Sequence, residues 1–302
     1  MYIYLPIAGM SVNALLIIAL GTLVGLLSGL FGVGGGFLTT PLLIFYGIPP
    51  TVAVASATTQ ITGASVSGAM AHWRRGGVDV KMGLVMIAGG LFGSIAGAGL
   101  FRLLQTSGQV DLVVGFLYVL LLGSIGLLML KDAVIALGWV TRAEVKVKAR
   151  HNRWVASLPL RARFAASGLY ISPLAPAALG FVAGMMTVLL GVGGGFILVP
   201  AMIYLLRMAA RVVVGTSLLM ILAVSAATTL IQALTSGAVD ILLAALLLVG
   251  GVVGAQYGAH LATRLKPDLL RLALAVIILL VALRMLLGLT WRPDEIYGIE
   301  LL

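Results

Sequence analysis

The sequence predicts an all-α fold: a polytopic integral membrane protein made of two inverted repeats, each with about five helical segments and a Gly-rich re-entrant hairpin. Three observations predict it: an apolar composition, long stretches without charge, and an internal repeat. Of the 302 residues, 61% are hydrophobic and 9% are charged, whereas an average soluble domain is about 45–50% apolar and about 25% charged. The composition argues against a soluble enzyme, a nucleic-acid-binding protein and a disordered protein.

Uncharged apolar stretches recur along the whole chain. They cover residues 1–73, 82–101, 112–130, 164–206, 212–239, 241–260 and 272–283. A helical span takes about 20 apolar residues, so the longest stretches hold more than one element. The stretches are continuous rather than alternating between apolar and polar residues, which favours helices over a β-barrel.

An internal repeat divides the chain into halves. The run Gly32–Phe37, with the sequence GVGGGF, recurs 159 residues later at Gly191–Phe196. Beyond it the offset becomes 161, and the matching sets are Val78-Asp79 with Val239-Asp240 and Gly89/Gly93/Gly97 with Gly250/Gly254/Gly258. We therefore predict a first transmembrane repeat at 1–136, a basic cytoplasmic loop at 137–175 and a second transmembrane repeat at 176–302.

Each half is predicted to contain five segments. Those of the first half lie at 13–31, 37–47, 51–73, 81–104 and 110–136, and those of the second at 176–190, 196–207, 211–236, 241–265 and 268–288. The second segment of each half has only about 11 or 12 residues, too few to span a bilayer at about 1.5 Å per residue. We expect it to fold back as part of a re-entrant hairpin.

The distribution of charge orients the two halves. The net charge is +10, and the basic residues concentrate in the central loop, which the positive-inside rule places in the cytoplasm. Three crossings per half, an odd number, make the repeats inverted and place the remaining clusters of Lys and Arg inside. Parallel repeats with four crossings each are the alternative, but they would leave Arg264, Lys266 and Arg271 outside.

The glycine runs are the predicted anion-binding elements. A short helix that begins just after such a run has unpaired N–H groups and a partial positive charge at its first turn, and glycines let its backbone approach a ligand closely. The predicted substrate-binding residues are Gly34, Gly35, Gly36, Phe37, Thr39, Ser56 and Gln60 in the first half, and Gly193, Gly194, Gly195, Phe196, Thr216 and Ser217 in the second.

Other residues have predicted roles outside this site. The spaced glycines after each Val-Asp pair are typical of helix packing, and Asp79 and Asp240 are predicted helix caps. His72 and Arg74 are either interfacial anchors or a gate. The chain has no cysteine, which excludes disulfides and thiolate metal sites, and we expect neither a metal site nor a cofactor.

These residues resemble the TauE/SafE family of sulfite exporters, also called the toluene-sulfonate uptake permease family. The resemblance rests on the paired GVGGGF runs, on Ala55-Ser56 with its counterpart Thr216-Ser217, and on His72 upstream of Val78-Asp79. It covers about residues 15–287. The second half has Ala233 where the first has His72, so the two halves do not share any role of that histidine.

The resemblance implies a multi-pass transporter of the bacterial inner membrane that moves small sulfur-containing anions such as sulfite or organosulfonates. Its partners would be a small anionic substrate and the lipid bilayer, without nucleic acid, and a homo-oligomer is a further expectation. Export by alternating access, with the anion between the two glycine hairpins, is the favoured reading. Cation-coupled uptake and an anion channel are the alternatives, and an enzyme is not expected because the spans hold few polar groups.

Overall fold

A computed structural model describes residues 2–31, 36–136, 162–164, 166–262 and 267–290. In the first half, strands β1 and β2 precede helices α1 to α5, at Tyr2–Leu5, Met10–Asn13, Ala14–Phe31, Gly36–Phe45, Pro50–Arg74, Val80–Thr106 and Val110–Ala136. In the second half, β3 and β4 precede α6 to α10, at Ala162–Phe164, Leu169–Ile171, Leu174–Leu190, Gly195–Tyr204, Ala210–Thr235, Ile241–Ala262 and Pro267–Thr290. The described part of each half thus has five helices, as predicted.

Within the described residues, five helices are long and apolar enough to cross a membrane, namely α4, α5, α8, α9 and α10. Helix α3 has 25 residues, but its many hydroxyl and amide side chains lower its hydropathy. Helices α2 and α7 have 10 residues each. At about 1.5 Å per residue they are about 15 Å long, half the thickness of a hydrocarbon core. The predicted shortness of these two segments is confirmed.

Two β-hairpins among the described residues were not predicted. One precedes α1, and the other precedes α6 and lies within the segment 137–175 that was predicted to be a loop. Strands β1 and β2 pair antiparallel, and so do β3 and β4. The hairpins obey the 159-residue offset of the repeat: Leu5 and Phe164 are both fully buried, and Gly9 and Gly168 turn with φ near +65°. Strands of only three or four residues beside an apolar helix carry too little periodicity to be distinguished from that helix.

The glycine ladders form two seams between helices. A methyl group on Gly25 of α1 would lie 2.2 Å from the carbonyl oxygen of Gly251 in α9, and one on Gly93 of α4 would lie 2.0 Å from that of Phe181 in α6. Backbones approach this closely only where a side chain is absent. The ladders are therefore packing surfaces, as predicted.

Successive contacts along each helix pair give its relative direction. Along both seams, successive glycines meet successive turns of the partner, so α1 runs parallel to α9 and α4 parallel to α6. Helices α3 and α8 run antiparallel, because Thr59 lies 3.4 Å from Thr229 and Thr62 lies 3.0 Å from Ser225, measured between hydroxyl oxygens.

Two further pairs complete this set of directions. Helix α3 runs parallel to α9, with hydrogen bonds from Asp240 to Ser56 and from Gln60 to Leu247. Helix α8 runs parallel to α4, with contacts from Thr216 to Asp79 and from Thr228 to Ser94. Helices α1, α3 and α9 thus point one way, and α4, α6 and α8 point the other way.

Candidate functional site

The two short helices begin at the same place in the protein interior. Phe37 is the second residue of α2, and Phe196 is the second residue of α7. Their rings stack with centroids 4.6 Å apart and planes 11° from parallel. Both side chains are buried. The N-terminal ends of α2 and α7, one from each half, therefore meet.

The second glycine run needs glycine for its backbone conformation. Gly191 is the C-cap residue of α6 and has a φ of +69°, and Gly193 and Gly194 follow with φ of +71° and +73°. Other residues adopt this left-handed region at a cost of about 1–2 kcal/mol each. The four residues from Gly191 to Gly194 thus connect α6 to α7.

The first turn of α7 has no side-chain cap. Gly194 is its N-cap residue, and the first helical hydrogen bonds run from the N–H groups of Ile197 and Leu198 to the carbonyl of Gly194, at 3.0 and 2.8 Å. The N–H groups of Gly195 and Phe196 lie in the first turn, ahead of these first helical hydrogen bonds. Such an end carries the positive pole of the helix dipole and is suited to an anion.

Ile61 of α3 lies against both glycine runs, and no pattern in the sequence indicated that position. A methyl group on Gly36 would lie 2.1 Å from its Cδ1, and one on Gly193 would lie 2.7 Å from its Cγ2. Ile61 itself is buried. The space in front of both glycines is thus filled by one flexible apolar side chain.

Tyr118 of α5 is a second residue that the sequence analysis missed. Its hydroxyl donates to the carbonyl of Leu190, the last residue of α6, and its side chain is fully buried. The bond holds the end of α6 immediately before the glycine run. The signal was available, because a tyrosine inside an apolar span needs a partner for its hydroxyl.

Thr39 and Gln60 come together beside α2, as residues of a common site should. The Thr39 hydroxyl donates to Oε1 of Gln60 at 3.0 Å, and Nε2 of Gln60 donates to the carbonyl of Leu247 at 3.4 Å. Both side chains are at least 95% buried. Gln60 therefore places a polar group next to the first turn of α2 without a net charge.

Ser56 and Thr216 hold the two halves together. The Ser56 hydroxyl accepts from the backbone N–H of Asp240 at 3.3 Å, and the Thr216 hydroxyl accepts from that of Asp79 at 2.9 Å. Ser217 donates to the carbonyl of Val214 in its own helix. Each of these hydroxyls thus has a partner within the protein, and a role in ligand binding stays a prediction.

Asp79 and Asp240 are helix caps, as predicted. The Asp79 carboxylate accepts from the N–H of Met82, and the Asp240 carboxylate accepts from that of Leu243. Each also binds the β-hairpin turn of the other half: Asp79 accepts from Ser167, and Asp240 accepts from the N–H of Ile7. Each carboxylate thus joins a helix start to the opposite half.

His72 and Arg74 lie away from this centre. They are in the last turn of α3, and eleven residues from Ile61 to His72 correspond to about 17 Å along the axis. Arg74 is exposed, and its Nη2 lies 3.8 Å from the sulfur of Met70. Gly34 and Gly35, which were predicted to bind substrate, lie outside the described residues.

The centre has very little charge. Among the described residues the buried charged side chains are Asp79 and Asp240, and both are engaged as caps. Within the same residues, no group of three or more His, Cys, Asp or Glu side chains is arranged to hold a metal ion. Polar contacts at the centre therefore come from backbone amides, hydroxyls and Gln60.

Comparison with known proteins identifies the family. Residues 17–285 match the family described as "Sulfite exporter TauE/SafE". The chain is 32% identical over 273 residues to the "Probable membrane transporter protein YjnA" of Bacillus subtilis, which covers 89% of this chain and 98% of that protein. It is 31% identical over 288 residues to a "Probable membrane transporter protein" of Xylella fastidiosa, which covers 94% and 97%. No solved structure matches the chain significantly.

The chain belongs to the TauE/SafE family. It is thus a multi-pass membrane transporter. In this TauE/SafE transporter the second residues of two short helices, one from each half, stack their phenylalanine rings.

Proposed function

We propose that this transporter moves small sulfur-containing anions, such as sulfite or organosulfonates, and binds them between the two glycine hairpins. The observation that carries the proposal is the meeting of two short helices at Phe37 and Phe196, whose ring centroids are 4.6 Å apart. Both helices direct the positive ends of their dipoles toward that point. Such ends bind sulfate-like and carboxylate groups through their N–H groups.

The polarity of the centre supports an anion rather than a cation. A cation pathway inside a membrane is usually marked by Asp or Glu. Among the described residues the buried carboxylates are Asp79 and Asp240. Both accept hydrogen bonds as helix caps, and these bonds favour their staying in place. Amide N–H groups provide partial positive charge without the cost of a buried Lys or Arg.

We further propose that the halves are inverted-topology repeats whose relative motion exposes the site to each side in turn. The opposite directions of α1 and α6, of α3 and α8, and of α4 and α9 support this arrangement. Transporters with inverted repeats place their substrate where broken helices of the two repeats meet. The central loop would then lie in the cytoplasm of a bacterial cell, and the protein in its inner membrane.

Export is the favoured direction. Moving one negative charge out of a cell with a negative interior releases about 2.3 kcal/mol per 100 mV, so export of an anion needs no coupling ion. Uptake would need one. Counterflow in proteoliposomes at a fixed potential separates export from cation-coupled uptake, and saturable exchange without unitary currents would exclude a channel.

A thermal-stability panel on the purified protein tests the substrate class. A ligand at 100 times its Kd raises the free energy of unfolding by about 2.7 kcal/mol. We expect stabilisation by sulfite, thiosulfate or sulfoacetate, and less by acetate. Stabilisation by sodium or potassium ions, with no effect of any anion, would contradict the proposal.

Gln60 offers a variant pair that tests the location of the site. In Gln60→Glu an oxygen still accepts from Thr39, but a negative charge lies beside the first turn of α2. We expect this variant to lose anion binding through repulsion. Gln60→Met has a similar shape and no charge, and it should bind the anion more tightly than Gln60→Glu. Equal binding by Gln60→Glu and the wild type would place the anion elsewhere.

Accessible cysteines test the topology. Gln109→Cys lies in the exposed turn between α4 and α5, and Arg75→Cys lies in the exposed turn after α3. We expect an impermeant thiol reagent to label the first from the periplasm and the second only after the cells are opened. Labelling of both from the same side would contradict three crossings per half.

A further inference from the structure

A large cleft lies at one end of the helix bundle, away from the glycine centre. It has a volume of about 580 Å³. Its walls are the end of α2, the connection to α3, the start of α5 and the end of α10. Most of the lining is apolar, and Leu112 and Leu289 beside it are exposed on the outer surface. The cleft is therefore open to the acyl chains of a surrounding bilayer.

The lining contains one positive and one negative side chain. The Arg284 guanidinium lies over the ring of Phe45, 5.2 Å from its centroid. Asp111 is the second residue of α5. Among the described residues neither forms an ion pair. The net charge of the lining is zero, which suits a zwitterionic ligand better than a simple anion.

The two charges lie at different depths. Helices α5 and α10 run antiparallel, with Gly115 beside Leu289. Asp111 is one turn closer to the start of α5 than Gly115 is. The Arg284 side chain extends toward the end of α10, where its Nη1 lies 3.6 Å from the position that a methyl group on Gly288 would take. The carboxylate is thus about one turn nearer the aqueous end of the bundle than the guanidinium, which lies level with Gly288.

The other half has a tyrosine where the first half has Phe45. Tyr204 occupies the position of Phe45 at the 159-residue offset, and its hydroxyl donates to Oδ2 of Asp132 at 2.9 Å, which joins the end of α7 to the end of α5. Phe45 has no hydroxyl to make such a bond. The end of α2 thus lacks the hydrogen bond that fixes the end of α7 to α5.

We propose that this cleft binds a phospholipid with an amine headgroup. Its phosphate would lie on Arg284, its ammonium group on Asp111, and an acyl chain along the apolar wall. This order matches such a lipid, in which the amine lies farther from the acyl chains than the phosphate. A small soluble anion would use neither the apolar wall nor Asp111, and a lipid with a purely anionic headgroup would leave Asp111 without a partner.

Native mass spectrometry of the delipidated full-length protein tests the proposal. The probes are phosphatidylethanolamine, phosphatidylglycerol and phosphatidylcholine with identical acyl chains, and glycerophosphoethanolamine without them. The wild type should prefer phosphatidylethanolamine to phosphatidylglycerol. Arg284→Gln should weaken the binding of phosphatidylethanolamine about tenfold or more, as expected for loss of a charged hydrogen bond. Arg284→Lys should keep part of the affinity, which controls for misfolding.

Asp111→Asn should abolish the preference among headgroups while phosphate binding remains. Arg102→Gln, which removes an exposed arginine at the end of α4, should behave as the wild type. Three results would overturn the proposal: equal binding of phosphatidylethanolamine and phosphatidylglycerol by the wild type, unchanged binding by Arg284→Gln, or full competition by glycerophosphoethanolamine. None of these depends on the substrate of the transporter.

Discussion

Helix α4 contains two glycines that should respond to the same substitution with opposite signs. A methyl group on Gly93 would lie 2.0 Å from the carbonyl oxygen of Phe181 in α6, with the carbonyl carbon and Cα of Phe181 also within 3 Å. Gly99, six residues later in the same helix, has nothing within 4 Å of the same position and is exposed. Gly93→Ala and Gly99→Ala therefore separate packing from helix propensity.

The magnitudes follow from these distances. At Gly99, alanine gains about 1 kcal/mol over glycine from helix propensity alone. At Gly93 the same gain applies, but the backbones must part by about 1 Å before the contact reaches 3.0 Å, and a gap of that size removes a quarter to a half of each dispersion contact along the seam. Overpacking costs about 1–3 kcal/mol. The gain from helix propensity is common to both variants, so they should differ in the free energy of unfolding by the overpacking cost, about 1–3 kcal/mol.

Thermal unfolding of both variants in the same detergent measures the difference. We expect Gly99→Ala to melt at or above the wild-type temperature and Gly93→Ala to melt below it. Folded Gly93→Ala should still bind a ligand found with the wild type, because the seam lies apart from the glycine hairpins. Equal melting temperatures for the two variants would refute the close approach of α4 and α6.

Three further predictions concern the centre and its supports. Asp79→Ala should lower the free energy of unfolding by about 2–4 kcal/mol and Asp240→Ala by about 1–2 kcal/mol. The Asp79 carboxylate accepts three hydrogen bonds and the Asp240 carboxylate two. Chemical denaturation measures both losses, and a larger loss for Asp240→Ala would contradict this reasoning. A double-mutant cycle of Phe37→Leu and Phe196→Leu should give a coupling of about 0.5–1.5 kcal/mol, and no coupling would argue against the stacked pair. Tyr118→Phe should cost about 1–3 kcal/mol and speed amide hydrogen exchange in residues 191–196, whereas unchanged exchange would show that its hydroxyl does not hold the end of α6.

Part of the candidate site could be predicted from the sequence because its signals are local. Consecutive glycines followed by a ten-residue apolar segment already indicate a broken helix, and an Asp before an apolar run already indicates a cap. Repetition of both signals in the same order, at offsets of 159 and 161 residues, then places the two glycine runs in one predicted site. The stacked pair of Phe37 and Phe196 is in keeping with that hypothesis.

Other features needed the tertiary structure, because they depend on which segments become neighbours. The sequence marks Gly93 and Gly254 as packing glycines, but nothing in their spacing says that α4 meets α6 or that α1 meets α9. Ile61 resembles any other apolar residue until two glycine runs approach it. The bonds of Ser56 and Thr216 to backbone groups of the opposite half are equally long-range.

The physical reason is that a bilayer makes most side chains of a span apolar. Composition and periodicity then establish how many helices form and where they break, so the sequence by itself determined these two features. Hydropathy does not distinguish a side chain that faces lipid from one that faces another helix, so the tertiary structure alone decided the partners. It also decided the hairpins at Tyr2–Asn13 and Ala162–Ile171, since pairing between strands of three or four residues is fixed by their burial against the bundle.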